Sequence, residues 1–272
     1  MKKKILFVDL DGTLLNDQKE IPAGNKAAIE KATALGHAVV ITTGRALLST
    51  KKMVERLGLN TPGCYAITSN GALIFDTYRE EVVFQTGVPR HLIRPIFDEA
   101  YKFDVHAQTY AFDHAVCEKD NEEMEYYSRT TMLPYEVVPD AAAALTEDPV
   151  KLLFVELKDK QKLENFRMHI KPFTDANDVD MFFSCDFYLE FLPRGINKGS
   201  GVRYLSQLLG VPIEDTVAAG DAENDIAMLK AAGTACVMKN AGPEMAAYAD
   251  YITERDNNHS GVAEIIERFL LN

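Results

Sequence analysis

The sequence predicts an α/β protein: a doubly wound, Rossmann-like parallel-sheet core with an inserted α+β cap domain. Three observations carry this expectation. The runs Ile5-Leu6-Phe7-Val8, Ala38-Val39-Val40-Ile41-Thr42 and Tyr65-Ala66-Ile67-Thr68 lack polar alternation, as strands covered on both faces do. Helical patterns separate them, so the order is βαβαβ, with right-handed crossovers. That alternation stops near Phe84 and resumes near Phe191.

The elements follow in order. A helix is expected from Pro22 to Leu35, with Pro22 in its first turn and Gly36 left-handed after its last. Leu47 to Leu57 is helical, with Leu47, Leu48, Met53, Val54 and Leu57 apolar. The insert has helical stretches at Arg90–Phe103, Glu122–Thr130 and Lys160–Phe173, and a short helix and loop at Asp140–Pro149. Strand-like runs lie at Val150–Leu157 and Met181–Leu192. Paired strands with helices on one side make an α+β unit. Phe182, Phe183, Phe187, Tyr188 and Phe191 read as cap core at strand spacing, as do Tyr101, Tyr110, Tyr126 and Tyr127. The last third gives a helix at Lys198–Leu209 capped by Gly210, a strand at Thr216–Gly220, a helix at Asn224–Ala232 stopped by Gly233, a strand at Thr234–Met238 and a closing helix at Val262–Leu271 with Ser260 as N-cap. The expected division is a core of residues 1–83 and 191–272 and a cap of residues 84–190.

Composition narrows the function classes. A net charge of -12 gives the chain no bulk attraction for nucleic acid or anionic membrane. Any anion must be met by a local positive cluster. Cys64, Cys117, Cys185 and Cys236 are too scattered for a zinc or redox spacing and are expected as buried, reduced thiols. After Met1-Lys2-Lys3-Lys4 the apolar stretch is only Ile5–Val8, too short for an export segment, and no run approaches a membrane span. A cytoplasmic protein is expected. No signal specifies an oligomeric state.

Ligands of doubly wound sheets sit at the carboxyl ends of the strands, and each strong polar cluster falls at such an end. Asp9-Leu10-Asp11-Gly12-Thr13 follows the first strand. Two carboxylates there repel each other unless a cation or proton relieves them, and Mg²⁺ is the natural partner. Taken alone, the motif also suits an ordinary turn. Thr42-Thr43-Gly44-Arg45 follows the second strand and offers a hydroxyl and a helix start to an anion, or simply a helix cap. Asn197-Lys198-Gly199 opens a helix. A lysine there opposes the dipole, so either something negative compensates it or it is a solvated surface residue. Gly220-Asp221-Ala222-Glu223-Asn224-Asp225 follows the strand Thr216–Ala219. A helix starting at Asp221 would put Asp221 and Asp225 on one face, although acids at a helix start are stabilising anyway. No Walker P-loop pattern occurs.

In that order the four motifs resemble the haloacid dehalogenase-like (HAD) superfamily, and within it the Cof-type sugar phosphatases. Ser69-Asn70-Gly71-Ala72, Asn240-Ala241, Ala249-Asp250 and Ser260-Gly261-Val262 extend the resemblance over the whole core, while the middle segment matches only in placement and size. The resemblance implies Asp9 as nucleophile and Mg²⁺ ligand, and Asp11 as general acid and base with its carbonyl on the metal. It implies Asp221 as a direct ligand, Asp225 as one that acts through water or from behind the direct ligands, and Thr13 as support for the loop. Thr43, Lys198, Asn224 and the amides of Leu10 and Gly44 would hold the phosphoryl group. Arg45 and Asn70 are candidates for substrate contact, with a structural role as the alternative. The partner expected is a small phosphorylated substrate, a sugar phosphate by resemblance. A phosphomutase of the same superfamily and a non-catalytic Mg²⁺- or phosphate-binding regulatory module are the alternatives. The second aspartate argues against a dehalogenase, which needs no acid for its leaving group.

Overall fold

The computed structural model describes residues 2–62 and 64–271; Met1, which opens the basic N-terminal run, Gly63 and Asn272 lie outside the described residues. The chain divides into two compact units, one of residues 1–44, 50–83 and 197–272, the other of residues 45–49 and 84–196.

The first unit opens with β1 (Ile5–Val8), α1 (Ala23–Ala34), β2 (Ala38–Thr42), most of α2 (Leu47–Leu57), β3 (Tyr65–Thr68), β4 (Leu73–Asp76) and the start of β5 (Glu81–Gln85). All four residues of β1 are fully buried, as a strand covered on both faces requires. Pro22 does not join the first turn of α1. It sits just before it with ψ 137°, its ring fixing φ for entry, while Gly36 takes φ +86° after the helix.

The second unit contains α3 (Ile93–Lys102), β6 (His106–Tyr110), β7 (Ala115–Cys117), α4 (Glu122–Thr131), β8 (Tyr135–Val137), α5 (Ala141–Ala144), β9 (Leu152–Val155), α6 (Lys160–Ala176), β10 (Val179–Cys185) and β11 (Tyr188–Pro193). Its sheet runs β10-β11-β9-β6-β7-β8. The expected single run Met181–Leu192 is a hairpin turning at Asp186-Phe187, with Met181 opposite Phe191 and Val179 opposite Pro193. Strand pairing therefore continues to Pro193, the second unit ends at Ile196, and a junction at 190/191 would cut β11. Helices cover both faces, not one. Leu152 and Phe154 pack with Phe97 and Phe166 of α3 and α6, whereas Leu153 and Val155 pack with Met124 and Tyr127 of α4. Phe183 and Phe191 are core as expected, but Phe187 and Cys185, near the hairpin turn, are exposed; Cys64, Cys117 and Cys236 are buried.

His106 lies buried on β6, its Nε2 3.3 Å from Gln108 Oε1 and its Nδ1 without a protein partner. Burial pushes the imidazole down to about 4, the Gln108 contact opposing and Lys119 adding to the shift. The unfolded chain binds that proton near pH 6.5 and the folded one only near pH 4, so stability is complete above pH 6.5 and falls as pH drops between these values. The loss should reach about 3 kcal/mol. Urea unfolding from pH 7 to 4 should therefore show a shallower acid limb for His106→Gln than for the wild type. Parallel curves would refute this.

The chain returns with α7 (Lys198–Leu208), β12 (Thr216–Gly220), α8 (Ile226–Ala231), β13 (Thr234–Val237), β14 (Tyr251–Ile252) and α9 (Gly261–Phe269). The sheet of the first unit runs β14-β13-β12-β1-β2-β3-β4-β5. It is parallel from β14 to β3, but β4 turns back antiparallel on β3, so the sheet is mixed at that side. The helix expected from Asn224 begins as a 3₁₀ turn at Glu223–Asp225 and becomes α8 at Ile226. Ser260 precedes α9 but does not cap it. Its φ is +62° and its side chain makes no cap bond. Among the described residues no helix is long and apolar enough to cross a membrane.

Candidate active site

Register assembles the site. β1 lies between β2 and β12, with Val8 opposite Ile41 and Ala219. The residues that follow each strand, Asp9, Thr43 and Asp221, therefore emerge side by side at the carboxyl edge. The Asp9 amide stays on the ladder, donating to the Ala219 carbonyl at 3.0 Å. The chain then coils tightly, with Leu14 N donating to Asp9 O at 3.2 Å and Leu15 N to Leu10 O at 2.8 Å. Gly12 is required within this coil. Its φ is +83°, and a Cβ there would stand 2.3 Å from Asp221 Oδ2. Thr13 Oγ1 donates to Asp221 Oδ1 at 2.7 Å, tying the coil to the end of β12.

Lys198 is the first residue of α7, whose N-terminus is closed by a capping box between Asn197 and Ser200. Its ammonium is fully buried and donates to Asp9 Oδ1 at 2.5 Å and to Asp225 Oδ1 at 2.6 Å. These carboxylates are the compensation that a lysine at a helix start requires. Asp225 Oδ2 accepts from the amides of Asp221 and Ala222 at 2.9 and 3.1 Å. Because Asp221 directly follows β12 and no helix starts there, the two acids meet through the backbone and do not share a helix face.

A second set of contacts involves Thr43, Asn70 and Asn224. The Asn70 amide donates to Thr43 O at 3.0 Å, and Asn224 Nδ2 donates to Asn70 Oδ1 at 3.3 Å. Ser69 and Asn70 take φ of +49° and +53°, a conformation that is costly for residues other than glycine and marks a constrained loop. Leu10 and Thr43 are buried, Gly44 ends the first unit's N-terminal segment, and Arg45 is buried within the second unit. Asp11 stands apart from the buried cluster. Its Oδ1 accepts from Lys19 Nζ at 2.8 Å, and its side chain is 38% exposed. Lys19 escaped the sequence reading. Only a left-handed turn at φ +61° brings it back to Asp11, and turn residues do not announce that reach.

The buried cluster is short of positive charge. Burial raises the Asp9 carboxyl well above the usual range; Lys198 opposes the rise, and the Asp225 and Asp221 charges reinforce it. Asp221 is pushed up to about 7 by burial and by Asp225. Burial disfavours the Lys198 ammonium, but Asp225 and Asp9 outweigh it and hold its pKa above the ordinary value. With all three carboxylates ionised, one ammonium would leave two negative charges unmatched, and ligand oxygens of Asp9, Asp221 and Asp225 lie within 4.8 Å of one another. An all-oxygen donor set with that charge deficit fits one hard divalent cation.

Comparison with known proteins shows the family. The family model described as haloacid dehalogenase-like hydrolase matches residues 6–266. The chain belongs to this family. Among curated HAD relatives, "Putative phosphatase M6_Spy0533" of Streptococcus pyogenes serotype M6 is 32% identical over 274 residues, covering all of both chains. The Bacillus subtilis 5-amino-6-(5-phospho-D-ribitylamino)uracil phosphatase YwtE is 28% identical, with 98% of each chain covered. A crystal structure of a haloacid dehalogenase-like hydrolase from Bacteroides thetaiotaomicron superposes with a TM-score of 0.89 at 28% identity, covering 98% of this chain and 99% of that one. The Rossmann-like HAD core with its additional domain is thus the fold of this chain.

Proposed function

We propose that this HAD hydrolase is a Cof-type phosphatase that moves the phosphoryl group of a small ester onto Asp9 and then to water. The observation that carries the reading is Lys198 Nζ between Asp9 and Asp225, with Asp221 beside them. A carboxylate approaching a phosphate dianion meets charge repulsion, so its surroundings must be positive where charge accumulates. Lys198 supplies one charge. Asp9, Asp221 and the Asp11 carbonyl would hold Mg²⁺, with Asp225 behind them, and the ion would neutralise the phosphoryl oxygens and the attacking carboxylate. Thr43, Asn224 and the amides of Leu10 and Gly44 orient the phosphoryl group. Arg45 and Asn70 are assigned to the substrate side.

Asp11 gives its proton to the departing alcohol, and its ionised form then takes a proton from the attacking water. Its exposure suits this double duty, because it exchanges protons without entering the buried cluster. The substrate class is a phosphate ester of a sugar or polyol. The ribityl phosphate in the name of the Bacillus subtilis relative is of that chemistry.

Phosphate release from p-nitrophenyl phosphate and a panel of sugar phosphates, with Mg²⁺ and with EDTA, tests the reading. Turnover on the panel that EDTA abolishes is expected. No turnover in Mg²⁺, or turnover indifferent to EDTA, would refute it. Transfer of phosphate between positions of one sugar would make the enzyme a mutase.

A further inference from the structure

The coil that carries Asp11 and Thr13 is held by three asparagine side chains. Asn240 Nδ2 donates to Gly12 O at 2.7 Å, Asn25 Nδ2 to Leu14 O at 3.2 Å and Asn257 Nδ2 to Leu15 O at 3.0 Å. Two of them also accept from the C-terminal segment. Asn257 N donates to Asn240 Oδ1 at 3.0 Å, and Ala263 N, at the start of α9, donates to Asn25 Oδ1 at 2.9 Å. Asn257 reaches further along the same loop, to Asp17 Oδ1 at 3.1 Å. A primary amide donates and accepts at once, so Asn25 and Asn240 each join two backbone segments; alanine does neither, and a carboxylate cannot donate.

The members differ in burial, and this separates fold from function. Asn25 and Asn257 are buried, so each is also a structural fastener. Asn240 is exposed, and water would satisfy the Gly12 carbonyl in its absence. Its bond therefore adds little to stability but fixes where the Gly12 peptide stands, next to Asp11. Asp11 is itself partly exposed and takes its position from that backbone.

We propose that Asn240, braced by Asn257, is a positioning residue for Asp11, setting the place from which the proton reaches the leaving oxygen. This rests on the reading of Asp11 as the general acid. The relevant readout is kcat/KM, which reports the steps up to loss of the alcohol and not the later hydrolysis of the phosphoenzyme. An alkyl phosphate needs the acid; p-nitrophenyl phosphate, with its stable leaving anion, needs it little.

The experiment compares wild type, Asn240→Ala and Asp11→Asn on both esters, with Tm recorded for each protein. For Asn240→Ala, kcat/KM on the alkyl phosphate should fall about tenfold, while that on p-nitrophenyl phosphate and the Tm stay near wild type. Asp11→Asn should show the same selectivity, more strongly. Equal losses on the two esters for Asn240→Ala, or no loss, would overturn the clamp while Asp11→Asn still discriminates. If Asp11→Asn itself fails to discriminate, the acid assignment falls and the clamp with it.

Discussion

Asp9→Asn is expected to lower phosphate release by at least about 10⁴-fold and, in metal-free protein, to leave Tm unchanged or raised. The two effects have one cause. Asn keeps the size of the side chain and an oxygen that can accept from Lys198, so the 2.5 Å contact has a successor. What disappears is one of the two charges that the buried cluster leaves unmatched. A carboxylate that burial already disfavours contributes nothing to stability by being ionised, and its neutral replacement relieves Asp225 and Asp221. The amide is no nucleophile, so the covalent route closes. Mg²⁺ should raise the Tm of wild type more than that of the variant, because the folded site has lost one anionic ligand. Thermal unfolding in EDTA and in Mg²⁺, beside an initial-rate assay, checks all three statements. Residual turnover within tenfold of wild type, or a Tm several degrees lower in EDTA, would contradict them.

The elements legible in the sequence are those for which a local pattern and the tertiary demand coincide. β1, β2 and β3 were readable because continuous apolar runs have few homes other than a doubly covered strand. The insert was harder. β7 and β8 have three residues each, too few to show a period, and the turn at Asp186-Phe187 hid inside an apolar stretch. Lys151 and Glu190 went unremarked, yet they form an ion pair at 2.7 Å with both side chains almost wholly buried; a lone charge in a strand run is the only trace such a pair leaves. At the site, the helix dipole left two readings of Lys198, a negative partner or a solvated surface residue, and the contacts to Asp9 and Asp225 decide for the first. The identity of those partners did not follow, because they lie 189 and 27 residues away in sequence. The Asp11–Lys19 pair and the asparagine bonds to the coil depend on loop geometry that has no sequence period. Ser260 misled for a related reason. Its residue type suits a cap, but its left-handed backbone turns the side chain to no such use.

Lys198→Met is expected to cost both fold and function, in contrast to Asp9→Asn. Methionine fills much of the lysine's volume, so the loss is electrostatic. It leaves Asp9, Asp221 and Asp225 together in a buried cluster with no ammonium. Removing one partner of a buried ion pair typically costs about 3–5 kcal/mol, which in a chain of this size corresponds to roughly 10 °C in Tm. Adding Asp225→Asn should recover much of that stability, because the second change removes the charge that the first left unpaired. Asparagine at 225 retains one oxygen for the amides of Asp221 and Ala222, so the end of β12 keeps part of its support. Turnover should not return in the double variant, since the phosphoryl group still lacks its ammonium. Stability and activity thus separate along a single double-mutant cycle, read in EDTA by thermal unfolding and in Mg²⁺ by rate. If the double variant is no more stable than Lys198→Met, the cluster is not limited by charge; if Lys198→Met keeps turnover within tenfold, the ammonium does not serve the phosphoryl group.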